Sequence, residues 1–316
     1  MSVIIASARA DAVVVNLDHS WAASSADGWR LEDAAAPPGE SGDRTDWLVF
    51  DEGSAGWSPI SSDPPNVVRY WLEAGSEAFA GAFHGNYFDA GVAFLRFDFY
   101  AAHPCKLVVE LRREADWVIY EAVLDISGGW QRIELPLTDA HFSLEPFSAP
   151  IPLRDLLADV TQLAFGVRPG AMPEAQLFRI KQISLRGSGP GYGSWIAPHE
   201  ALHGGEANSW LPGADRSGNG IMNADAFTAG LDPADASDLF TINGWAQQPP
   251  QLTWLSRTGR VYSVWRSHDL SEDFTPVEGY EDIVGTGDIK EVTLPSDEGL
   301  GPWFYRLHVE RAAPHH

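Results

Sequence analysis

The sequence predicts an all-β protein in which an antiparallel β-sandwich is followed by a short helical linker and a second, smaller β-sandwich. Three observations support this prediction: many short segments alternate apolar and polar residues, turn-forming residues separate them, and helical periodicity is nearly absent. The chain has 316 residues, which is enough for two or three domains with hydrophobic cores of their own.

The first predicted sandwich is built from strands with a period of two. In "FLRFDFY", Leu95, Phe97 and Phe99 lie on one face, whereas Arg96 and Asp98 lie on the other. The segments "KLVVELRR" and "GWQRIELPL" repeat this pattern, and "VVRYWLEAG", "WVIYEAVLD", "VTQLAFGVRP" and "LFRIKQISLRG" have the composition of further strands. The helical candidate among them is "IPLRDLLADV". Half-buried strands of this kind favour a two-layer sandwich, here a jelly roll.

Glycine-rich punctuation predicts where the domains meet. The stretch "RGSGPGYGSW" is typical of a hinge, and "QLTWLSRTGRVYSVWRS", "KEVTLP" and "WFYRLHVER" are strand-like again beyond it. The predicted division is an export-signal remnant or disordered N-terminus over 1–20, the first sandwich over 21–188, the linker over 189–240 and the second sandwich over 241–312.

Charge and cysteine content exclude several classes of function. There are 44 acidic and 21 basic residues, a net charge of −23, and such a field repels nucleic acid and anionic membrane surfaces. No apolar run is long enough to insert into a membrane as a helix. The single cysteine, Cys105, excludes an intramolecular disulfide and a cysteine-based zinc site, and we interpret it as a structural thiol.

The segment "GNGIMNADAFTAGLDPADASDLFTI" resembles the thrombospondin type 3 or EF-hand-like segments of secreted bacterial multidomain proteins. The matching residues are Gly220, Asn223, Ala229, Gly230, Asp232 and Pro233. This resemblance implies export to the cell surface or the medium and a small C-terminal β-module, which "LTWLSRTGRVYSVWRS" and "WFYRLHV" resemble.

The first domain is similar to the galactose-binding-like jelly-roll modules that accompany extracellular enzymes and adhesins. The segments "FHGNYFDAGVAFLRFDFYA" and "FRIKQISLRG" carry the similarity, which spans roughly residues 45–187. It implies a jelly-roll fold of the kind found in carbohydrate-binding modules. The motifs are patterns of strand and turn, and they name no ligand.

An incomplete calcium loop lies in the linker, in the stretch "DRSGNGIMNADAF". An EF-hand loop binds calcium through positions 1, 3, 5, 7 and 9 and a bidentate Glu at position 12. The residues at the first five of these positions are Asp215, Ser217, Asn219, Ile221 (through its carbonyl) and Asn223. Ala226 stands at the last position, so we expect a weak or lost calcium site. The alternative is that Asp232 or Asp235 supplies the missing carboxylate.

The stretch "HEALH" matches the zinc-peptidase motif, in which two His on a helix bind the metal and the Glu is the base. Pro198 precedes it and two glycines follow it, which predicts barely more than one turn of helix. We therefore interpret it as a solvated linker helix and expect no zinc. A zinc peptidase acting through His199, Glu200 and His203 is a less favoured alternative.

Thirteen tryptophans suggest that some aromatic rings are exposed for binding. Trp117, Tyr120 and Trp130 fall near predicted turns at the rim of the sandwich, where sugar rings could stack on them. Trp71 lies inside a strand segment and is assigned to the core.

These observations favour a secreted or cell-surface protein that recognises carbohydrate or surface glycans without catalysis. One alternative is a structural assembly protein that self-associates. Another is a glycan-active hydrolase or lyase, for which carboxylates on predicted strands would be needed. The candidates are Asp98, Glu110, Glu121 and Glu134, although solvated outer faces account for them better.

Overall fold

The chain divides into two compact units, Met1–Ala214 and Asp215–His316. The division falls inside the segment predicted to be a linker. Residues 1–15 of the predicted export-signal remnant lie outside the part of the chain that the structure describes. The structure, a computed structural model, describes residues 16–21, 26–34, 36, 42–51, 53–58, 68, 70–74, 76–168, 177–247, 250–271, 273–295 and 303–312.

The described part of the first unit is built from antiparallel strands with little helix. The strands are β1 (Trp29–Asp33), β2 (Val49–Asp51), β3 (Ser54–Trp57), β4 (Tyr70–Ala74), β5 (Val92–Ala101), β6 (Cys105–Arg113), β7 (Val118–Ile126), β8 (Gly129–Pro136), β9 (Ser143–Leu144), β10 (Gln162–Arg168) and β11 (Phe178–Gly187). The helices are α1 (Leu153–Leu157) and α2 (Tyr192–His203), with 3₁₀ turns at Thr45–Trp47, Ala78–Gly81 and Ala207–Trp210.

These strands form two sheets that pack face to face. One sheet has six strands in the order β1-β4-β10-β6-β7-β9, and the other has five in the order β2-β3-β11-β5-β8. Phe97 of the five-stranded sheet and Phe165 of the six-stranded sheet meet edge to face, with ring centroids 5.1 Å apart. The first unit is therefore an antiparallel β-sandwich, as the sequence predicts.

The period-two pattern correctly assigns the buried face of the longest strands. Leu95, Phe97 and Phe99 of β5 are fully buried. Trp71 is different, because Tyr70, Leu72 and Ala74 point inward and the alternation turns its ring outward. The Arg112 guanidinium covers it, 4.9 Å from the ring centre. The assignment of Trp71 to the core is therefore wrong.

Two further segments belong to the first unit, namely the residues around Asn16 and His19 and helix α2. Asn16 and His19 donate their backbone N–H groups to Leu185 and Ile183 of β11, at 2.7 and 2.8 Å. Helix α2 is twelve residues long with Pro198 inside it, so the prediction of barely more than one turn is wrong. The buried side chains of Tyr192 and Ile196 anchor this helix to the first unit.

The second unit is a smaller β-structure with one helix at its start. Helix α3 spans Asn223–Ala229, and the strands are β12 (Ile242–Gln247), β13 (Pro250–Leu255), β14 (Arg260–Ser267), β15 (Thr275–Pro276), β16 (Ile283–Val284), β17 (Ile289–Thr293) and β18 (Phe304–Arg311). Strands β12-β13-β17 form one sheet, and β14 pairs with β15, β16 and β18 in another. The core between them contains Leu252, Trp254, Tyr262, Val264, Val277, Leu294 and Leu307.

Among the described residues, no helix has both the length and the apolar character needed to cross a membrane.

Candidate functional site

The outer face of the five-stranded sheet carries an aromatic and cationic row at one end of its central strands. In register across the sheet, Trp130 of β8 lies opposite Tyr100 of β5, and Tyr100 lies opposite Arg179 of β11. Directly paired residues in antiparallel strands project from the same face. The alternation that buries Phe99 therefore presents Tyr100 together with Trp130 and Arg179 on the outer face.

Trp130 and Tyr100 form an aromatic pair on this face. Their ring centroids are 5.5 Å apart with an interplanar angle of 49°, within the range of attractive ring contacts. Trp130 remains 44% exposed because β8 is an edge strand. The Lys181 ammonium lies 4.2 Å from the centre of the Trp130 ring, so a cation–π contact steadies the indole.

A shallow cavity of about 360 Å³ opens beside this pair. Its volume lies within the range of small-molecule sites. Strand β5 lies between β8 and β11, so Tyr100 forms the floor of the cavity, and Trp130 and Arg179 form its two walls. Ala102 and Leu177 also line the cavity. The cavity therefore combines aromatic surface with a guanidinium donor.

Polar side chains lie on the same face at the next outward-facing pair of β5 and β8, which is Asp98 and Arg132. The Arg132 guanidinium donates to both carboxylate oxygens of Asp98, at 2.9 and 3.3 Å, and to the Gln182 amide oxygen at 2.9 Å. Gln182 stands in a β-bulge, where the register shifts between Lys181 and Ser184, and its φ is +52°. A bulge of this kind re-aims a side chain, here toward Arg132.

The sequence-predicted aromatic residues do not come together. Trp117 lies in the β6–β7 turn and is 76% exposed, with φ of +55°. Tyr120 points into the core, is only 6% exposed, and donates its hydroxyl to the Ile151 carbonyl at 2.6 Å. Both belong to the six-stranded sheet or its turns, whereas Trp130 is on the other sheet. Of the three, Trp130 alone lies in the candidate site.

Sequence reasoning missed Tyr100, Arg179 and Lys181. The alternation in "FLRFDFY" was the available signal for Tyr100, since it places Tyr100 on the same face as Arg96 and Asp98. No signal of this kind exists for Lys181, because its position over Trp130 depends on which strands are neighbours.

The strand carboxylates considered for catalysis are all held by arginines. The Arg132 Nε atom lies 2.9 Å from an oxygen of the Asp98 carboxylate, and the Arg96 Nε atom lies 3.3 Å from an oxygen of the Glu134 carboxylate. On the six-stranded sheet, Glu121 lies 3.2 Å from Arg168.

The fourth carboxylate, Glu110, is not on a solvated face as expected. It is buried and accepts a 2.7 Å hydrogen bond from Arg112. Desolvation raises the pKa of Glu110, and the Arg112 charge opposes that shift.

The Glu of the "HEALH" stretch is also engaged in an ion pair. Its carboxylate accepts a hydrogen bond from the guanidinium of Arg154, which belongs to α1. Arg154 in turn lies over the Phe88 ring, 4.6 Å from its centre. The His199 ring lies 5.0 Å from the Trp195 ring, one helical turn earlier. This end of α2 therefore makes structural contacts within the first unit.

The calcium-like loop is closed by its own hydrogen bonds. One oxygen of Asp215 accepts from the backbone N–H groups of Gly218 and Asn219, and the other accepts from Gly220 at 2.7 Å. The Asn219 side-chain oxygen accepts from Ile221 N–H at 2.9 Å.

Further predicted ligands have internal partners. Asn223 is fully buried and accepts from the backbone of Arg216 at 3.3 Å. Asp232 accepts from the Ala234 N–H at 2.9 Å. Ser217 donates its hydroxyl to Asp215 at 3.4 Å. The side chains of Asp215, Asn219, Asn223 and Asp232 thus accept hydrogen bonds from the backbone of this segment.

No family model matches the chain, and no curated protein matches it. Three solved structures illustrate what it is similar to. The L4b domain of human laminin alpha-2 has 15% identity and a TM-score of 0.36, with 51% of this chain and 92% of that chain covered. A CBM4 structure has 11% identity and a TM-score of 0.30, with coverages of 50% and 93%.

The third is a mutant of a carbohydrate binding module of family 29, with 12% identity and a TM-score of 0.30. The match covers 52% of this chain and 85% of that chain. At these identities and TM-scores, the likenesses assign the chain to no family.

Proposed function

We propose that the first unit binds carbohydrate in the cavity beside Trp130, and that the protein works without catalysis at the cell surface or in the medium. The observation that supports this proposal is the exposed Trp130–Tyr100 pair on the wall and floor of a cavity that also contains Arg179. A sugar ring has apolar C–H faces and polar edges, so it needs an aromatic surface and hydrogen-bond donors close together.

The strands hold these groups in fixed positions. Tyr100 is on the strand next to β8, and the full pairing of β5 with β8 fixes the distance between the two rings. Binding residues on strands are more precisely placed than residues on loops. Little conformational entropy is then lost when a sugar binds, which favours affinity.

The absence of catalysis is part of the proposal and is supported by the arginine partners of the carboxylates. A general acid or nucleophile must be free to reach the scissile bond. Asp98 and Glu110 are instead held by Arg132 and Arg112. Glu200 is held by Arg154.

The test is a glycan array probed with the full-length chain and with Trp130→Ala. The proposal predicts binding to a restricted set of glycans by the wild type and loss of that signal in the variant. Trp117→Ala is the matched control, because Trp117 is an exposed tryptophan of the other sheet. An array without signal, or a signal that Trp130→Ala leaves intact, would overturn the proposal.

A further inference from the structure

The cavity beside Trp130 differs in charge from the protein as a whole. The chain carries 44 acidic residues against 21 basic ones, yet the described residues that line the cavity include one cation, Arg179, and no carboxylate. Charges are screened beyond roughly 8 Å at physiological ionic strength, so the local groups decide what binds. The charged group that this lining offers to a ligand is therefore a guanidinium, although the protein as a whole is acidic.

Lys181 places a second cation next to a residue of this cavity, because its ammonium lies 4.2 Å from the centre of the Trp130 ring. The other cations nearby have carboxylate partners: Arg132 pairs with Asp98, and Arg179 lies 3.0 Å from Asp51. Within the described part of the chain, no carboxylate lies within ion-pair distance of Lys181, whose ammonium rests over the Trp130 ring. A lysine without a carboxylate partner in this part of the chain, held against the Trp130 ring, is available for an anionic group of a ligand.

The Arg179 guanidinium is also accessible to a ligand. Its partner Asp51 has a side chain that is 51% exposed, and such surface ion pairs contribute little net stability. A ligand carboxylate or sulfate could therefore exchange with Asp51. Arginine suits this role because its planar fork binds two oxygens of an anion at once.

We propose that the carbohydrate recognised here is acidic, with a carboxylate or a sulfate ester on the sugar that stacks against Trp130. This inference rests on the proposed function. Lys181 and Arg179 would bind the anionic group, while Trp130 and Tyr100 contact the sugar ring. A neutral glycan would offer no anionic group to Lys181 or Arg179.

Titration calorimetry with the full chain and two matched polymer pairs tests this inference. The pairs are polygalacturonate with its methyl ester, and dextran sulfate with dextran. Within each pair the polymer backbone is the same and the anionic group is present in only one member, and the two pairs separate carboxylate from sulfate recognition. The expected result is binding to at least one acidic polymer and binding at least about tenfold weaker to its neutral counterpart, a factor typical of one lost charge-assisted contact.

Two substitutions show whether the effect comes from this cavity. Lys181→Met keeps the hydrocarbon stem against Trp130 and removes the charge, so it should weaken acidic-polymer binding about tenfold. Asp51→Asn frees Arg179 and should strengthen it. Lys106→Met is the matched control, since Lys106 is an exposed lysine of the other sheet, paired with Asp125 at 2.9 Å.

The outcomes separate the two proposals. Equal or tighter binding of a neutral polymer that requires Trp130 would overturn the acidic-ligand inference and leave carbohydrate recognition standing. Acidic-polymer binding that Lys181→Met and Lys106→Met weaken equally would also overturn it, because general charge would then explain the affinity. Failure of every polymer here and of the glycan array would end both proposals.

Discussion

The ammonium nitrogen of Lys181 lies 4.2 Å from the centre of the Trp130 ring, although the two residues stand on β11 and β8 with β5 between them. The two side chains therefore meet across β5, on which Asp98 is the register partner of Lys181 and Tyr100 is the register partner of Trp130. The contact gathers positive charge and aromatic surface at one place on the sheet. The proposed binding of an acidic sugar depends on this contact.

The exposure of Trp130 predicts that its removal affects binding far more than folding. Trp130→Ala should lower the free energy of unfolding by about 1–2 kcal/mol, because it removes a partly exposed ring, its contact with Tyr100 and one cation–π contact. Trp57 lies on the same sheet but is 1% exposed, and Trp57→Ala should cost about 3–5 kcal/mol. Urea denaturation measures both values. A cost for Trp130→Ala close to that for Trp57→Ala would show that Trp130 is a structural residue.

The ion pair between Arg154 and Glu200 predicts a structural role for the "HEALH" stretch. Glu200→Gln should lower the free energy of unfolding by up to about 1 kcal/mol, since both side chains are partly exposed. For a unit of this size that corresponds to roughly 2–4 °C in melting temperature. Arg154→Gln should have a similar effect. A Glu200→Gln protein with unchanged stability that has lost a peptidase activity would contradict this role.

The same stretch is expected to hold no zinc. Metal analysis of protein purified without an added histidine tag is the measurement. Stoichiometric zinc that disappears in His199→Ala would contradict the prediction.

The hydrogen bonds of Asp215 predict that the calcium-like loop is stable without an ion. Asp215→Ala leaves three backbone N–H groups without their acceptor and should lower stability by about 1–2 kcal/mol. Asp215→Asn keeps one acceptor oxygen and should lose less. Added calcium should leave the melting temperatures of the wild type and of both variants unchanged. A clear rise in the melting temperature of the wild type with added calcium, absent in Asp215→Ala, would show that the site is occupied.

Burial raises the pKa of the Cys105 thiol to about 12. The thiolate is the reactive form, so at neutral pH almost none is present in the folded protein. Cys105 should therefore react with a thiol reagent far more slowly in the folded protein than after unfolding, and raising the pH by one unit should increase the slow rate of the folded protein about tenfold. The measurement is the rate at which a thiol reagent labels Cys105, followed over time at each pH. Rapid native labelling at neutral pH would contradict the assignment of Cys105 as a structural thiol.

The strands of the fold could be predicted from sequence because their alternation is local. Leu107, Val109 and Leu111 are buried as the pattern indicates. The same alternation places Tyr120 inward with Val118 and Trp71 outward, so the sequence carries a local signal for both of these residues.

The candidate site itself could be predicted only in part. Trp130 was identified because it lies at a glycine turn, but its neighbours come from β5 and β11, and the order of strands in a sheet is not a local property. The arginine partners of the strand carboxylates depend on the same non-local pairing. For that reason the sequence could not show that Glu110 is buried beside Arg112.

The most direct test of the account is the tryptophan indole N–H spectrum of the isotope-labelled full chain during titration with a glycan selected on the array. Thirteen tryptophans give resolvable reporters, and Trp130→Phe and Trp117→Phe assign the two signals of interest. The account predicts that the Trp130 signal shifts in a saturable manner while the Trp117 signal stays in place. A shift of the Trp117 signal with an unchanged Trp130 signal would contradict the placement of the binding site on the five-stranded sheet.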